Sequence, residues 1–329
     1  MHHHPDSTAG APSHGGRRGP ALIAHADWSV DARKRWMCVA LQDGDGYVLS
    51  PCEPVGPPDT LLGRLGERAA GGNVLVGFDF PIGLPLAHAR QAGIASFTDL
   101  LPRLGAGEWA RFFDLAEHAG EIACTRPFYP RRPGGTSRAQ LAAGLGVSSF
   151  GELLRCCERR TATRNDACAL FWTLGGNQVG RAAIAGWREI LGPALREHPG
   201  AVGLWPFHGD LGELLATYRW VVAETYPAEA CVHLGLSAPG RGWSKRNPAD
   251  RRVRAGEIAA GCGGWRRLTS GLEQQVAAGF GAGASGEDPF DAFVGLVSML
   301  EVATGRRAAA PLLDDEVRRI EGWILGQGR

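Results

Sequence analysis

Asn73-Val74-Leu75-Val76-Gly77-Phe78-Asp79-Phe80-Pro81 is an apolar run that ends on a carboxylate and a proline. Its core does not alternate polar with apolar, so Asn73–Asp79 reads as a strand buried on both faces, the kind found inside parallel sheets. Upstream, Thr60–Ala70 carries Leu61, Leu62 and Leu65 on one face, with Gly71-Gly72 as its stop, and reads as a helix. Further back, Ala21–Asp27 reads as a buried strand, Trp36–Leu41 as a second and Tyr47–Ser50 as a third. The Asp43-Gly44-Asp45-Gly46 turn joins the last two as a hairpin. The order is strand, strand, strand, helix, strand, which is an α/β pattern.

Downstream of Pro81 the pattern changes. From about 86 to 215 the chain reads as short helices and loops with no strand; Glu108–Glu117, Ser149–Arg155 and Arg181–Arg196 are the helix candidates, the last shortened by Pro193. The sheet resumes at Trp220–Glu224. Helices then follow at Ala228–Leu234, Asn247–Ala260, Pro289–Thr304 and Asp314–Leu325. The expected architecture is one α/β domain over residues 20–329, interrupted by a mainly helical insertion at about 86–215. Residues 1–19 have almost nothing to bury and read as a disordered tail.

The chain has 329 residues, 44% apolar content and a formal net charge of +1, which excludes a general polycation. Nucleic-acid binding would have to come from a local basic patch. Lys34 and Lys245 are the only lysines, so nearly all positive charge is arginine. Eight cysteines show neither a CxxC pair nor zinc-ligand spacing and read as reduced thiols. No apolar run approaches the ~20 residues a membrane span requires. The expectation is a cytoplasmic protein without a membrane partner.

The acids carry the functional signal. Asp27, Asp79 and Glu224 each end a predicted strand, and Asp288 and Asp291 open a predicted helix at i, i+3 spacing. Strand ends in open parallel sheets face the crevice where α/β proteins bind ligands, and carboxylates gathered there repel unless cations compensate. Hard oxygen donors of this kind suit Mg²⁺ or Mn²⁺. Each acid also has a structural reading: Asp288 as the N-cap before Pro289, Asp291 on the helix dipole, Asp27 opening a turn, Asp79 capping loop amides, Glu224 pairing with an arginine. Gly295 lets the helix approach the sheet closely, while Phe290, Phe293, Val294 and Val297 supply its packing face.

Four segments resemble the motifs of the domain-of-unknown-function family 429 (DUF 429), whose members are expected to be RNase H-like nucleases. They are Ala26-Asp27-Trp28-Ser29, Phe78-Asp79-Phe80-Pro81-Ile82-Gly83-Leu84, Glu224-Thr225-Tyr226-Pro227-Ala228-Glu229 and Asp288-Pro289-Phe290-Asp291-Ala292. The stretch from Ser244-Lys245-Arg246 to Asp250-Arg251-Arg252 is similar to its basic segment. Asp288 and Asp291 also resemble the paired helix acids of RuvC-type junction resolvases. The resemblance implies an RNase H-like mixed five-stranded sheet flanked by helices. It also implies two Mg²⁺ or Mn²⁺ ions, bridged by Asp27 on the central strand, with Asp79, Asp288 and Asp291 completing the ligands. Glu224 departs from the simpler nucleases of that fold and is an extra ligand or the orienter of a water or an arginine.

The activity so implied is two-metal phosphodiester hydrolysis on DNA or RNA, with Asp27, Asp79, Glu224, Asp288 and Asp291 catalytic. Substrate phosphates would meet Lys245, Arg246 and Arg252, with Arg126, Arg131 and Arg132 of an arginine- and aromatic-bearing loop as a second candidate set. Gly175–Gly180 is a weak anion-binding candidate. A phosphotransferase or small-molecule hydrolase on the same fold stays open, although no glycine-rich phosphate loop follows the first or fourth strand. A non-catalytic binding protein also stays open.

Overall fold

A computed structural model describes residues 19–161, 164–175, 179–261 and 264–328. The expected tail and the centre of the Gly175–Gly180 loop lie outside the described residues. The chain is α/β, and its strands form one mixed sheet. The strands are β1 (Leu22–Asp27), β2 (Trp36–Asp43), β3 (Gly46–Leu49), β4 (Glu53–Pro54), β5 (Val74–Phe78), β6 (Val202–Leu204), β7 (Trp220–Glu224) and β8 (Arg266–Leu268). The order across the sheet is β6-β7-β5-β1-β2-β3-β8, with β4 beside β2. β1, β5, β7 and β6 run parallel, and β2 is antiparallel to β1 and β3.

All five strands anticipated from the sequence form, but the sheet has eight. The additions β4, β6 and β8 span only two or three residues each, too short to show a hydrophobic period. β6 also corrects the expectation that residues 86–215 hold no strand. The 108–117 and 149–155 segments form single 3₁₀ turns, Gly107–Trp109 and Phe150–Leu153, rather than α-helices. Pro193 does not shorten its helix. Helical residues continue to Glu197, with a wide turn at Trp187–Leu191 loosening the hydrogen-bond ladder just before the proline. Within 314–325 one wide turn, Val317–Glu321, is the longest helical element. The last long helix begins at Glu287, and Asp288 does not cap it, because the chain enters through Gly286 from a preceding 3₁₀ turn.

The pleat divides the core in two. Leu22, Ala24, Val74, Val76, Phe78 and Val222 face the Leu61–Arg68 helix and the segment between β5 and β7. Ile23, Leu75, Val221 and Ala223 face the opposite way, onto the Glu287–Ala303 helix. That helix is buried along most of its length, and Phe290, Phe293, Val294 and Val297 all lie in the core as the sequence anticipates. Each such side chain contributes about 1.5–3 kcal/mol when fully buried. Gly295 is where the helix meets β1: a Cβ there would sit 2.3 Å from the ring of His25. The His25 ring lies flat beneath the helix, its Nε2 2.8 Å from Thr225 Oγ1, and burial pushes its pKa down to about 3, so it is neutral.

Among the described residues no helix is long and apolar enough to cross a membrane. The seven described cysteines are free.

Candidate active site

Strand register decides which acids meet. Ala26, Phe78 and Glu224 form one row across β1, β5 and β7. Asp27 and Asp79 lie one residue beyond that row, so their side chains turn to the face covered by the Glu287–Ala303 helix. There they meet Asp291 and Asp288. Burial raises the Asp27 carboxyl well above its ordinary range, and the charges of Asp79, Asp291 and Asp288 raise it further. Asp27 and Asp79 lie within hydrogen-bonding reach of each other. Burial also pushes Asp79 up, to about 7, opposed by the Trp28 backbone N–H, which donates to Asp79 Oδ1 at 2.6 Å, and by the Asp27 hydrogen bond. Asp288 is raised by burial as well, with Lys34 pulling it down.

Lys245 is the resident counter-charge. Its Nζ donates to Asp291 Oδ2, and the surrounding carboxylates, Asp291 foremost, hold the ammonium charged in spite of its burial. The loop that carries it is pinned from behind. Arg251, fully buried, donates to the carbonyls of Lys245, Gly279 and Gly281. Asn247 caps the following Pro248–Ala260 helix. The other oxygen of Asp291, Oδ1, is buried without a hydrogen-bond partner. Among the described residues no three or more His, Cys, Asp or Glu side chains are already set as a metal cage. Asp79 is turned instead onto a backbone amide and Asp291 onto a lysine. An orphaned buried carboxylate oxygen beside three more carboxylates is nonetheless a hard, electron-rich donor set that fits a divalent cation.

Glu224 is elsewhere. Its row places it on the opposite face, where both oxygens accept from Arg155, at 2.6 and 2.7 Å, and one accepts from the Ile82 N–H. Arg155 is fully buried, also bonds Glu158 at 2.9 Å and donates to the carbonyls of Ile82 and Glu321. Of the roles the sequence left open for Glu224, the structure puts it against an arginine and outside the acid cluster. Arg126 and Arg131 pair with Glu121 and Glu117 of their own segment, and Arg132 is exposed beside them. Arg246 is exposed, 3.5 Å from Glu287, and Arg252 is exposed on its helix. Of the six anticipated phosphate contacts, Lys245 alone lines the acidic cleft.

That cleft has a volume of about 700 Å³. Of the cluster, Asp79, Asp291 and Lys245 line it, with Asp27 and Asp288 set behind; its walls also include Trp28, Lys34, Arg181 and Tyr226, and the Arg155–Glu224 pair. Arg35 lies 4.1 Å over the Trp28 ring and bonds Glu189, which ties the β1–β2 loop to the Trp187–Leu191 turn. Sequence reasoning missed Lys34, Arg181 and Arg155. The first two carry no motif, and Arg155 ends a segment that reads from the sequence only as a helix candidate. No protein-family model, curated protein or solved structure matches the chain.

Proposed function

We propose that this cleft is the active site of a metal-dependent phosphodiesterase acting on nucleic acid, built on an RNase H-like core. The observation that carries the reading is the convergence of Asp27, Asp79, Asp288 and Asp291 on one face at the C-terminal ends of parallel strands. The strand order supports it too, since β1, which bears Asp27, is central among β3, β2, β1, β5 and β7. On this reading the segment between β5 and β7 is an insertion that walls the cleft.

Asp27, Asp79, Asp288 and Asp291 would hold Mg²⁺ or Mn²⁺. A divalent cation bound there supplies Lewis-acid stabilisation of a phosphodiester oxygen and a hydroxide nucleophile at neutral pH. The chain's own residues do the rest. Asp27 would be one of the ligands, and the Trp28 amide fixes the orientation of Asp79. Lys245, already charged against Asp291, stands where it can neutralise a phosphate oxygen. Cleavage of single-stranded, duplex and branched oligonucleotides with Mn²⁺ tests the reading, with Asp27→Asn as control. Cleavage that requires Mn²⁺ and disappears in a folded Asp27→Asn protein is expected. Activity that survives in that variant, or none on any substrate, refutes it.

A further inference from the structure

The walls of the cleft narrow the substrate further. Its acidic floor is recessed: Asp79 and Asp291 line it, one oxygen of Asp79 is held by the Trp28 amide, and Asp27 behind them is only 9% exposed. A duplex carries its phosphates on the outside of a broad cylinder, so it cannot lower them to a floor behind walls. The volume of about 700 Å³ lies within the range of sites that enclose one small ligand.

Two cations on the walls, Arg181 and Lys34, have no carboxylate partner in an ion pair among the described residues. Arg181 gives one N–H to the Arg131 carbonyl, and its Nε is buried without an acceptor among the described residues. Lys34 is exposed at the mouth, close enough to lower the Asp288 pKa. The same lining includes the small apolar side chains of Val179 and Ala182 and the half-buried ring of Tyr226, with Arg164 5.8 Å from the centre of that ring. A ligand that satisfies both features has phosphate oxygens for Arg181 and Lys245 and a flat face for Tyr226.

We propose that the cleft takes one unpaired nucleotide unit at a time, its phosphate directed to the carboxylate floor and its base against Tyr226. This deepens the phosphodiesterase reading and rests on it. The unit is either a free nucleotide or an unpaired nucleotide of a strand; the chemistry recognised is the same.

The full chain is titrated with adenosine monophosphate, with a 12-residue single-stranded oligonucleotide and with the blunt duplex of the same sequence, each with Mn²⁺. The monophosphate should bind and compete with the single strand, while the duplex binds at least about tenfold more weakly than the single strand. Arg181→Ala should weaken monophosphate binding by about tenfold, as expected for a lost charge-assisted hydrogen bond, with an unchanged melting temperature. Lys34→Ala, at an exposed position, should weaken it by a smaller factor. If Arg181→Ala melts early, the Lys34 variant carries the test. Competition by the monophosphate but not by the oligonucleotide assigns the site to free nucleotides. Monophosphate binding without cleavage of any oligonucleotide upholds the cleft assignment and removes the nuclease reading. Duplex cleaved as readily as single strand, with no competition by the monophosphate, overturns the cleft assignment and leaves the nuclease reading standing. Binding of none of the three probes also overturns it.

Discussion

Asp79→Asn removes a charge that the folded chain holds at a cost, and the size of that cost follows from the site. Burial takes the Asp79 carboxyl from its ordinary 3.8 to about 7. The unfolded chain therefore releases this proton near pH 4, while the folded chain keeps it until near pH 7. Between those values the folded state binds more protons, so stability falls as pH rises and the full penalty stands above pH 7. At its upper bound the penalty is about 4 kcal/mol, and water entering the open cleft relieves part of it. Asparagine keeps an oxygen for the Trp28 amide and cannot ionise. The variant should therefore be more stable than the parent by ~1–4 kcal/mol at pH 8, with the advantage shrinking towards pH 4. Urea denaturation at pH 5 and pH 8, with equal m-values for both proteins, reads this directly. A variant less stable than the parent at pH 8 would show that the Asp79 carboxylate is a net structural asset, and the argument from crowded acids would fail.

Two further outcomes bear on the frame around the cleft. Gly295→Ala places a methyl 2.3 Å from the buried His25 ring, so it should destabilise the chain by about 1–3 kcal/mol despite alanine's helix propensity, measured by thermal or urea unfolding. A neutral or stabilised variant would mean that the helix can lift off β1 freely. Arg155→Met leaves Glu158 and Glu224 buried without their cation and should cost about 3–5 kcal/mol at pH 7, part of it restored by adding Glu224→Gln. Equal stabilities for the single and double variants would contradict the pairing.

The parts of the fold that were legible in sequence are those with a long, consistent pattern. The Val74–Phe78 run, the Asp43–Gly46 turn and the apolar face of the last helix announced themselves through burial and turn chemistry. The Gly295 approach was readable because a missing side chain inside a packed helix has few other uses. Segment 86–215 was not legible in detail, since its 3₁₀ turns and the three-residue β6 are fixed by tertiary contacts rather than by periodicity. For the site, acidity at strand ends identified the right positions, but the facing of Glu224 needed the register. Nor does composition separate arginines spent on carbonyls, such as Arg251, from Lys34 and Arg181 on the cleft wall.

Glu224 ends β7 one row short of the carboxylate row, and Thr225 occupies the place level with Asp79, its hydroxyl hydrogen-bonded with His25 Nε2. Parity along a single strand thus turns a fifth carboxylate onto Arg155 and away from Asp27 and Asp79, although it lines the same cleft. A one-residue insertion or deletion within β7 would exchange the two faces. It would add a carboxylate where four already repel and strip Arg155 of its main partner at the same time. Length variation in this chain should accordingly be tolerated in the connections that lead into β7 and lethal to the fold inside it.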